Sequence, residues 1–477
     1  MAPGTPHAPH EPTAAADRPA PQPLRRIPGT ETIERTCDAI ILVLLVGVLV
    51  LTPIAFGGVE QDLAPISKTP FATVLYYFNY AIAAAAVLMV LVWAIKMVLA
   101  ERIVLARTPM DLPLLLFLAY ALVRALTCAA PAVALREVGW LAAYVAIFYV
   151  AVNVLRTRRK QHIVAGAIVA TAVLLTLVGL VLKAHPKTSE LALTLDRPRQ
   201  YEGRLGASYI CPNHFAGYLE MAIPLVMAFV MISKARLAHK LIVGAAGVTM
   251  LVAIILTMSR GAWISLVLGI AILLVAATTQ KRINLLAWLI PLIVIVATVA
   301  AIVLRSEKVR ERFGKVADTK DVSYGGRATI WKHTLDVVQR HPLFGTGPGT
   351  YKWAFTRALP PPLSLDVRYA HNDYLQTLSD YGIVGLALAL WAAGAFGYRG
   401  VRALRRAKKS DDLALIIGIL ASATAVAVHS FVDFNTRIPA NLVTMFVLAA
   451  LLVAVRQYQL RRLAELVVFK RSDTARL

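Results

Sequence analysis

A few polar residues stand where an otherwise apolar chain is interrupted, and their types suggest acid–base and anion chemistry. His371 opens the stretch His371-Asn372-Asp373-Tyr374-Leu375-Gln376, followed by Tyr381-Gly382-Ile383-Val384-Gly385. An imidazole accepts a proton near neutral pH, so His371 is the candidate base. The alternative is a histidine that orients a hydroxyl or holds its loop together by hydrogen bonds. Arg204, Arg260 and Arg327 are permanently charged and match phosphate oxygens bidentately. For Arg260 the competing reading is an interfacial side chain that snorkels to the membrane surface. His429 and Asp433 are four residues apart, with Asn435 close by, and at helical spacing they share a face. Ionisable groups within a span are costly and usually face an interior cavity. Asp433 is therefore expected to pair with an arginine or to orient a histidine, either as a structural pair or as a participant.

What must position these residues is a membrane-embedded helical frame. The chain is 58% hydrophobic and 16% charged, against roughly 45–50% and about 25% for a soluble domain. The excess lies in runs of about 20 apolar residues, long enough to cross a hydrocarbon core. Twelve spans are expected, near 38–57, 72–98, 111–128, 137–155, 162–183, 213–232, 240–258, 262–279, 284–304, 382–398, 413–433 and 439–456. The formal charge of +23 does not point to nucleic acid. The basic residues sit in short clusters between apolar runs, without a helix-turn-helix, zinc-finger or RNA-binding pattern. Clusters such as Arg156–Lys160, Lys234–Lys240, Lys281-Arg282 and Arg399–Lys409 occupy every second connection. That alternation predicts both termini in the cytoplasm.

The expected organisation has a disordered, Pro- and Ala-rich cytoplasmic tail at 1–37 and nine spans over 38–304, with an outer connection at 184–212. A large outer loop follows at 305–381, then three more spans over 382–456 and a short cytoplasmic tail at 457–477. Within the large loop, 306–316 and 327–340 are expected to be short amphipathic helices. The second is expected to set Ile330, Trp331, Leu335 and Val338 on one side. His341-Pro342 should end it, His341 acting as a cap, and Gly345-Thr346-Gly347-Pro348-Gly349 should form a tight loop. That glycine run lacks the strand and spacing of a dinucleotide site, and no phosphate-binding loop of the ATPase kind exists. Cys37, Cys128 and Cys211 have no metal spacing and form no disulfide framework.

The motifs together resemble the O-antigen ligase/polymerase superfamily. The resemblance rests on His371-Asn372, nine intervening residues, then Gly382-x-x-Gly385 opening a membrane helix. It is joined by Arg327, Trp331, His341-Pro342-Leu343, the 345–349 glycine loop and Ser259-Arg260-Gly261. Arg204-Leu205-Gly206-Ala207 with Pro212–Leu219, and His429–Asn435 through Ile438–Asn441, complete the set. It covers about 200–441, and the N-terminal half matches in hydropathy alone. The resemblance implies an all-helical, GT-C-like inner-membrane glycosyltransferase with a periplasmic active site and no cofactor or metal. The implied donor is a glycan on undecaprenyl diphosphate and the acceptor is lipid A–core oligosaccharide, joined by inverting transfer. On that reading His371 activates the acceptor hydroxyl, while Arg204, Arg260 and Arg327 hold the diphosphate as charge builds on it. Asn213, Asn372, His429 and Asp433 support them.

O-antigen polymerases and protein O-oligosaccharyltransferases share these motifs. The short segment after the last span favours the ligase, because the protein-glycosylating relatives usually carry a further C-terminal region. A transporter or flippase would also suit twelve helices, but it usually places its polar residues and broken helices near the midplane. Here the informative charges cluster at outer helix ends, with Pro224 and Pro291 as the candidate kinks.

Overall fold

Apolar runs fold as helices because lipid offers no partner to an unpaired backbone N–H or C=O. The computed structural model describes residues 30–55, 70–100, 102–185, 201–283, 305, 307, 322–360, 367–459 and 466–470. In chain order the elements are α1 (Thr30–Ile54), α2 (Pro70–Leu99), β1 (Arg102–Ala106), α3 (Asp111–Thr127), α4 (Pro131–Val154) and α5 (Arg158–Ala184). Next come α6 (Pro212–Ile232), α7 (Leu237–Leu256), α8 (Arg260–Thr279), α9 (Val322–Arg340) and α10 (Tyr351–Ala358). The chain continues with α11 (Asp373–Arg406), α12 (Ser410–His429), a 3-10 turn (Asn435–Arg437), α13 (Pro439–Gln459) and β2 (Leu466–Lys470).

Among the described residues, nine helices are long and apolar enough to cross a membrane: α1, α2, α4, α5, α6, α7, α8, α11 and α12. The spans expected at 111–128 and 439–456 appear as α3, 17 residues long, and as the shorter apolar stretch Pro439–Val455 of α13. The span expected at 284–304 lies outside the described residues, as does nearly all of the helix expected at 306–316. Large apolar side chains such as Val43, Val87, Ile242 and Val267 remain exposed, as they should where the surrounding medium is hydrocarbon.

Several expectations are corrected. The segment expected to be a disordered tail up to residue 37 is helical from Thr30, and α4 starts at Pro131 rather than near 137. A proline at the first turn suits a helix start, since its missing N–H would be unpaired there anyway. The fold is largely rather than wholly helical: β1 and β2 form an antiparallel pair with Arg102 opposite Lys470. The helix expected from 382 begins at Asp373, because Asn372 caps it, accepting from Tyr374 N and Leu375 N at 3.0 Å each. Gly382 (φ 65°) then kinks it. On α9, Val337 is buried while Leu335 is exposed, so the apolar face is turned from the one expected.

The centre of the bundle is α12, which packs most extensively on α6 and α8. Small residues let these backbones approach. Gly269 of α8 faces Ala421 and Ala425 of α12, and Gly418 of α12 faces Leu225 of α6. The N-terminal end of α6, the N-terminal end of α8 and the C-terminal end of α12 therefore meet at one end of the bundle.

The candidate active site

At that end, Asp433 is the hub. It lies in the turn after α12 and is fully buried. Its Oδ2 accepts from Asn213 Nδ2 at 2.7 Å and faces Arg327 at 3.5 Å. Its Oδ1 lies 3.4 Å from His371 Nδ1 and 3.7 Å from His214 Nε2. Both ring nitrogens are within ion-pair range of the carboxylate, and neither makes a hydrogen bond. Burial alone would raise the Asp433 pKa, yet His214, His371 and Arg327 outweigh it and hold the carboxyl well below the usual range. Asp433 is thus an ionised carboxylate, fixed by groups from α6, α9 and the segment before α11.

His371 adopts a left-handed backbone (φ 48°), uncommon for a residue with a side chain and frequent at functional sites. The conformation is held on both sides. Asn372 caps α11, and Asp373 N donates to Ser430 O at 2.8 Å. The Asp373 carboxylate accepts from Ser430 Oγ at 2.8 Å and from Thr436 Oγ1 at 2.5 Å. Phe434 packs edge-on against both His371 and His214 and stacks on Tyr369. His371 nevertheless keeps 35% of its side chain exposed, with Nδ1 turned to Asp433.

The arginines approach from three segments. Arg204 donates through Nε to Thr257 O at 2.8 Å and through its terminal nitrogen to Asn213 Oδ1 at 2.5 Å. Asn213 therefore bridges Arg204 to Asp433. Arg327, from α9, reaches Asp433 directly. Arg260 is the first residue of α8 and is buried. It follows Ser259, whose hydroxyl caps the helix by accepting from Ala262 N. Gly261 beside it presses on the His429 ring and Val432, so that a Cβ there would sit 3.0 Å from the imidazole. The structure thus brings together His371, Asn372, Asn213, Asp433, Arg204 and Arg327, with Arg260 on the adjoining helix end.

His429 and Asp433 do not act as one helical pair. α12 ends at His429, and Asp433 N closes the turn on His429 O at 3.0 Å. The His429 ring points the other way, its Nδ1 lying 3.1 Å from Glu220 Oε2, while Glu220 accepts from Ser265 Oγ at 2.5 Å. This fully buried group links α6, α8 and α12 immediately beneath the hub. Glu220 went unnoticed in the sequence, although a lone acid within an apolar run is a usable signal. His214 lies within the Pro212–Leu219 motif, and its approach to Asp433 is not visible in that motif's spacing.

A second polar seam supports the loop. Asp380 and Arg437 form a buried ion pair at 3.6 Å, and the Asp380, Tyr381 and Asp373 neighbourhood raises the guanidinium pKa of Arg437. Thr346 N and Gly347 N donate to Ser379 O and Asp380 O at 2.9 Å each. Arg124 of α3 donates to Phe344 O and Gly345 O at 3.0 and 3.1 Å, and Tyr120 donates to Tyr381 O at 2.6 Å. The glycine loop is therefore bound to the kinked start of α11. Nearby, a cavity of about 860 Å³ runs between α4, α11, α12 and α13. Trp140, Tyr144, Phe148, Leu390, Phe396 and Phe446 line its apolar length, and Arg136, Glu137, Lys352, Arg368, Asp380 and Arg437 its polar part.

A largely helical, multi-pass membrane protein with buried charges gathered at one end of its bundle is the class that this geometry defines. Residues 245–390 match the family model described as O-antigen ligase. The matched stretch is less than half of the chain; it is similar to that family and supports a ligase/transferase role. A search among curated proteins found no match. The matched stretch contains Arg260, Arg327, His371 and Asn372 but not Arg204, Asn213, His214, Glu220, His429 or Asp433. Six of these ten residues thus come from outside it.

Proposed function

We propose that this protein transfers a glycan from undecaprenyl diphosphate to lipid A–core oligosaccharide at the periplasmic face of the inner membrane, by an inverting, metal-independent reaction on a GT-C-like frame. The observation that carries this reading is the Asp433 hub, which sets an accessible imidazole beside arginines from separate segments. Ionised Asp433 favours the His371 tautomer with its proton on Nδ1, leaving Nε2 to take the proton of the acceptor hydroxyl. The hydroxyl oxygen then bonds to the anomeric carbon as the sugar–phosphate bond breaks on the opposite face, and the bond's electrons leave with the diphosphate. Arg204, Arg260 and Arg327 hold that diphosphate as its charge grows, so no acid is needed on the leaving group. Asn213 and Asn372 fix the cation and the base respectively, and the His429–Glu220 pair braces the helix end. The apolar cavity suits the hydrocarbon part of a lipid-linked substrate.

The test combines purified protein, lipid-linked O-antigen and separately prepared lipid A–core, with neither nucleotide nor metal added. A ladder of capped lipopolysaccharide on a gel is expected, and His371→Ala should abolish it without loss of expression. Glycan that lengthens on its own polyprenyl carrier would make the protein a polymerase. Full activity of His371→Ala would remove that residue from the mechanism.

A further inference from the structure

The helices that carry the site at one end carry a basic pocket at the other. Arg158 opens α5, Lys234 follows α6, Arg282 follows α8, and Lys408 and Lys409 join α11 to α12; together they line a recess of about 310 Å³. Its walls are braced from within. Arg158 pairs with Asp412 at 2.5 Å, Lys234 N donates to Asp411 Oδ1 at 3.1 Å, and Arg282 donates to Lys408 O at 3.2 Å. Among the described residues, no carboxylate pairs with the ammonium groups of Lys234, Lys408 or Lys409, which are exposed. Asp411 also lines the recess and Asp412 holds Arg158, but the cations outnumber these acids, and an entering anion would offset the surplus. The recess lies at the ends of membrane-spanning helices, the level at which lipid headgroups sit.

We propose that this pocket binds the phosphate of an anionic membrane lipid, its headgroup held by Arg282, Lys408 and Lys409 with Lys234 opposite. The chemistry is that of basic inter-helix pockets that take phosphate-bearing headgroups. Helix spacing alone would put cations on this face, but it does not require five of them, from four connections, to share one concavity. Bound lipid would tie together the ends of α5, α6, α8 and α12, the last three of which meet at the candidate site.

The test uses the full chain purified in detergent, with lipid retention read by native mass spectrometry and melting by thermal shift. Phosphatidylglycerol should be retained over phosphatidylcholine and should raise the melting temperature. The triple variant Arg282→Gln/Lys408→Gln/Lys409→Gln should bind it about a hundredfold more weakly, or about fivefold per charge removed. Lys409→Gln alone, at an exposed position, should show about the fivefold step and keeps the test usable if the triple variant folds poorly. A parallel arm adds inorganic phosphate without lipid. Protection by phosphate alone, lost in the variants, would keep the phosphate site but assign it to a soluble ligand. Equal retention of the two lipids, or equal binding by wild type and Lys409→Gln, would overturn the proposal.

Discussion

Replacing Asp433 by Asn keeps the shape of the hub and removes its charge. In the native site the carboxylate faces Asn213 at 2.7 Å, Arg327 at 3.5 Å and His371 at 3.4 Å. Hydrogen bonds to charged groups are worth about 1.5–3 kcal/mol, and removing one partner of a buried ion pair costs about 3–5 kcal/mol. Neither upper figure applies in full, because the His371 and Arg327 side chains are 35% and 19% exposed and solvent screens part of the loss. A loss of about 2–3 kcal/mol in transition-state stabilisation remains, or about 30- to 150-fold in transfer rate. The assay is the initial rate of conjugate formation at saturating acceptor, with melting temperature as a control for folding. If Asp433 works through His371, the double variant with His371→Ala should be no slower than His371→Ala alone. A rate for Asp433→Asn within threefold of wild type, in folded protein, would refute the hub's role.

Three further outcomes follow from the same geometry. Gly382 has φ 65°, and a Cβ there would run into the Leu343 carbonyl, so Gly382→Ala should destabilise by about 1–3 kcal/mol and lower the melting temperature; unchanged melting would mean that the loop does not press on the kink. Glu220→Leu strips His429 and Ser265 of their buried acceptor and should cost about 3 kcal/mol, with Glu220→Gln recovering part of the melting temperature; equal melting of all three proteins would show the contact to be idle. Because the folded Asp433 pKa lies well below the usual carboxylate value of 3.8, its stabilising contribution is present above about pH 4 and is lost as pH falls below 3.8 toward the folded value. The carboxyl itself should therefore stay ionised until strong acid, so replacing Asp433 by Asn should still lower the melting temperature at about pH 5; equal melting of the two folded proteins at that pH would contradict the depressed value.

Hydropathy made the helices legible because a span must be apolar over its whole length, and that constraint leaves little choice of structure. The ends were less legible. The start of α11 was missed because Asp373, Gln376 and Asp380 read as a polar loop, whereas they are buried: Asp373 accepts from Ser430 and Thr436, Gln376 joins Ala370 N to Asp380, and Asp380 pairs with Arg437. The strand pair was missed because each five-residue stretch, one in a connection and one in the C-terminal tail, is a strand only by virtue of its partner far away in sequence. The candidate site residues stand out through their chemistry and motifs, but their partners do not. Nothing in the spacing of Asn213, Arg327 and His371 shows that all three face Asp433, since that depends on how helices far apart in sequence meet. The His429–Asp433 spacing even suggested the wrong geometry, because it assumed that α12 continued for another turn.

The end of α12 explains why those two residues had to part. A single helix end faces both the packed interior, against α6 and α8, and the loops that bring His371 and Arg327. One ionisable residue placed there can serve only one of these surroundings, and each surrounding contains a group that needs a partner. Ending the helix at His429 leaves its ring directed inward to Glu220, while the following turn carries Asp433 outward to the cationic side. The two charge systems then share backbone, because Asp433 N bonds to His429 O, and they share a wall, because Gly261 lies on the His429 ring beside Arg260. A shift of the inner pair would therefore move the hub and the first turn of α8 together. That coupling gives the inner pair a reason to be polar: a directional Glu220–His429 contact fixes the angle of the helix end, which apolar packing alone specifies only loosely.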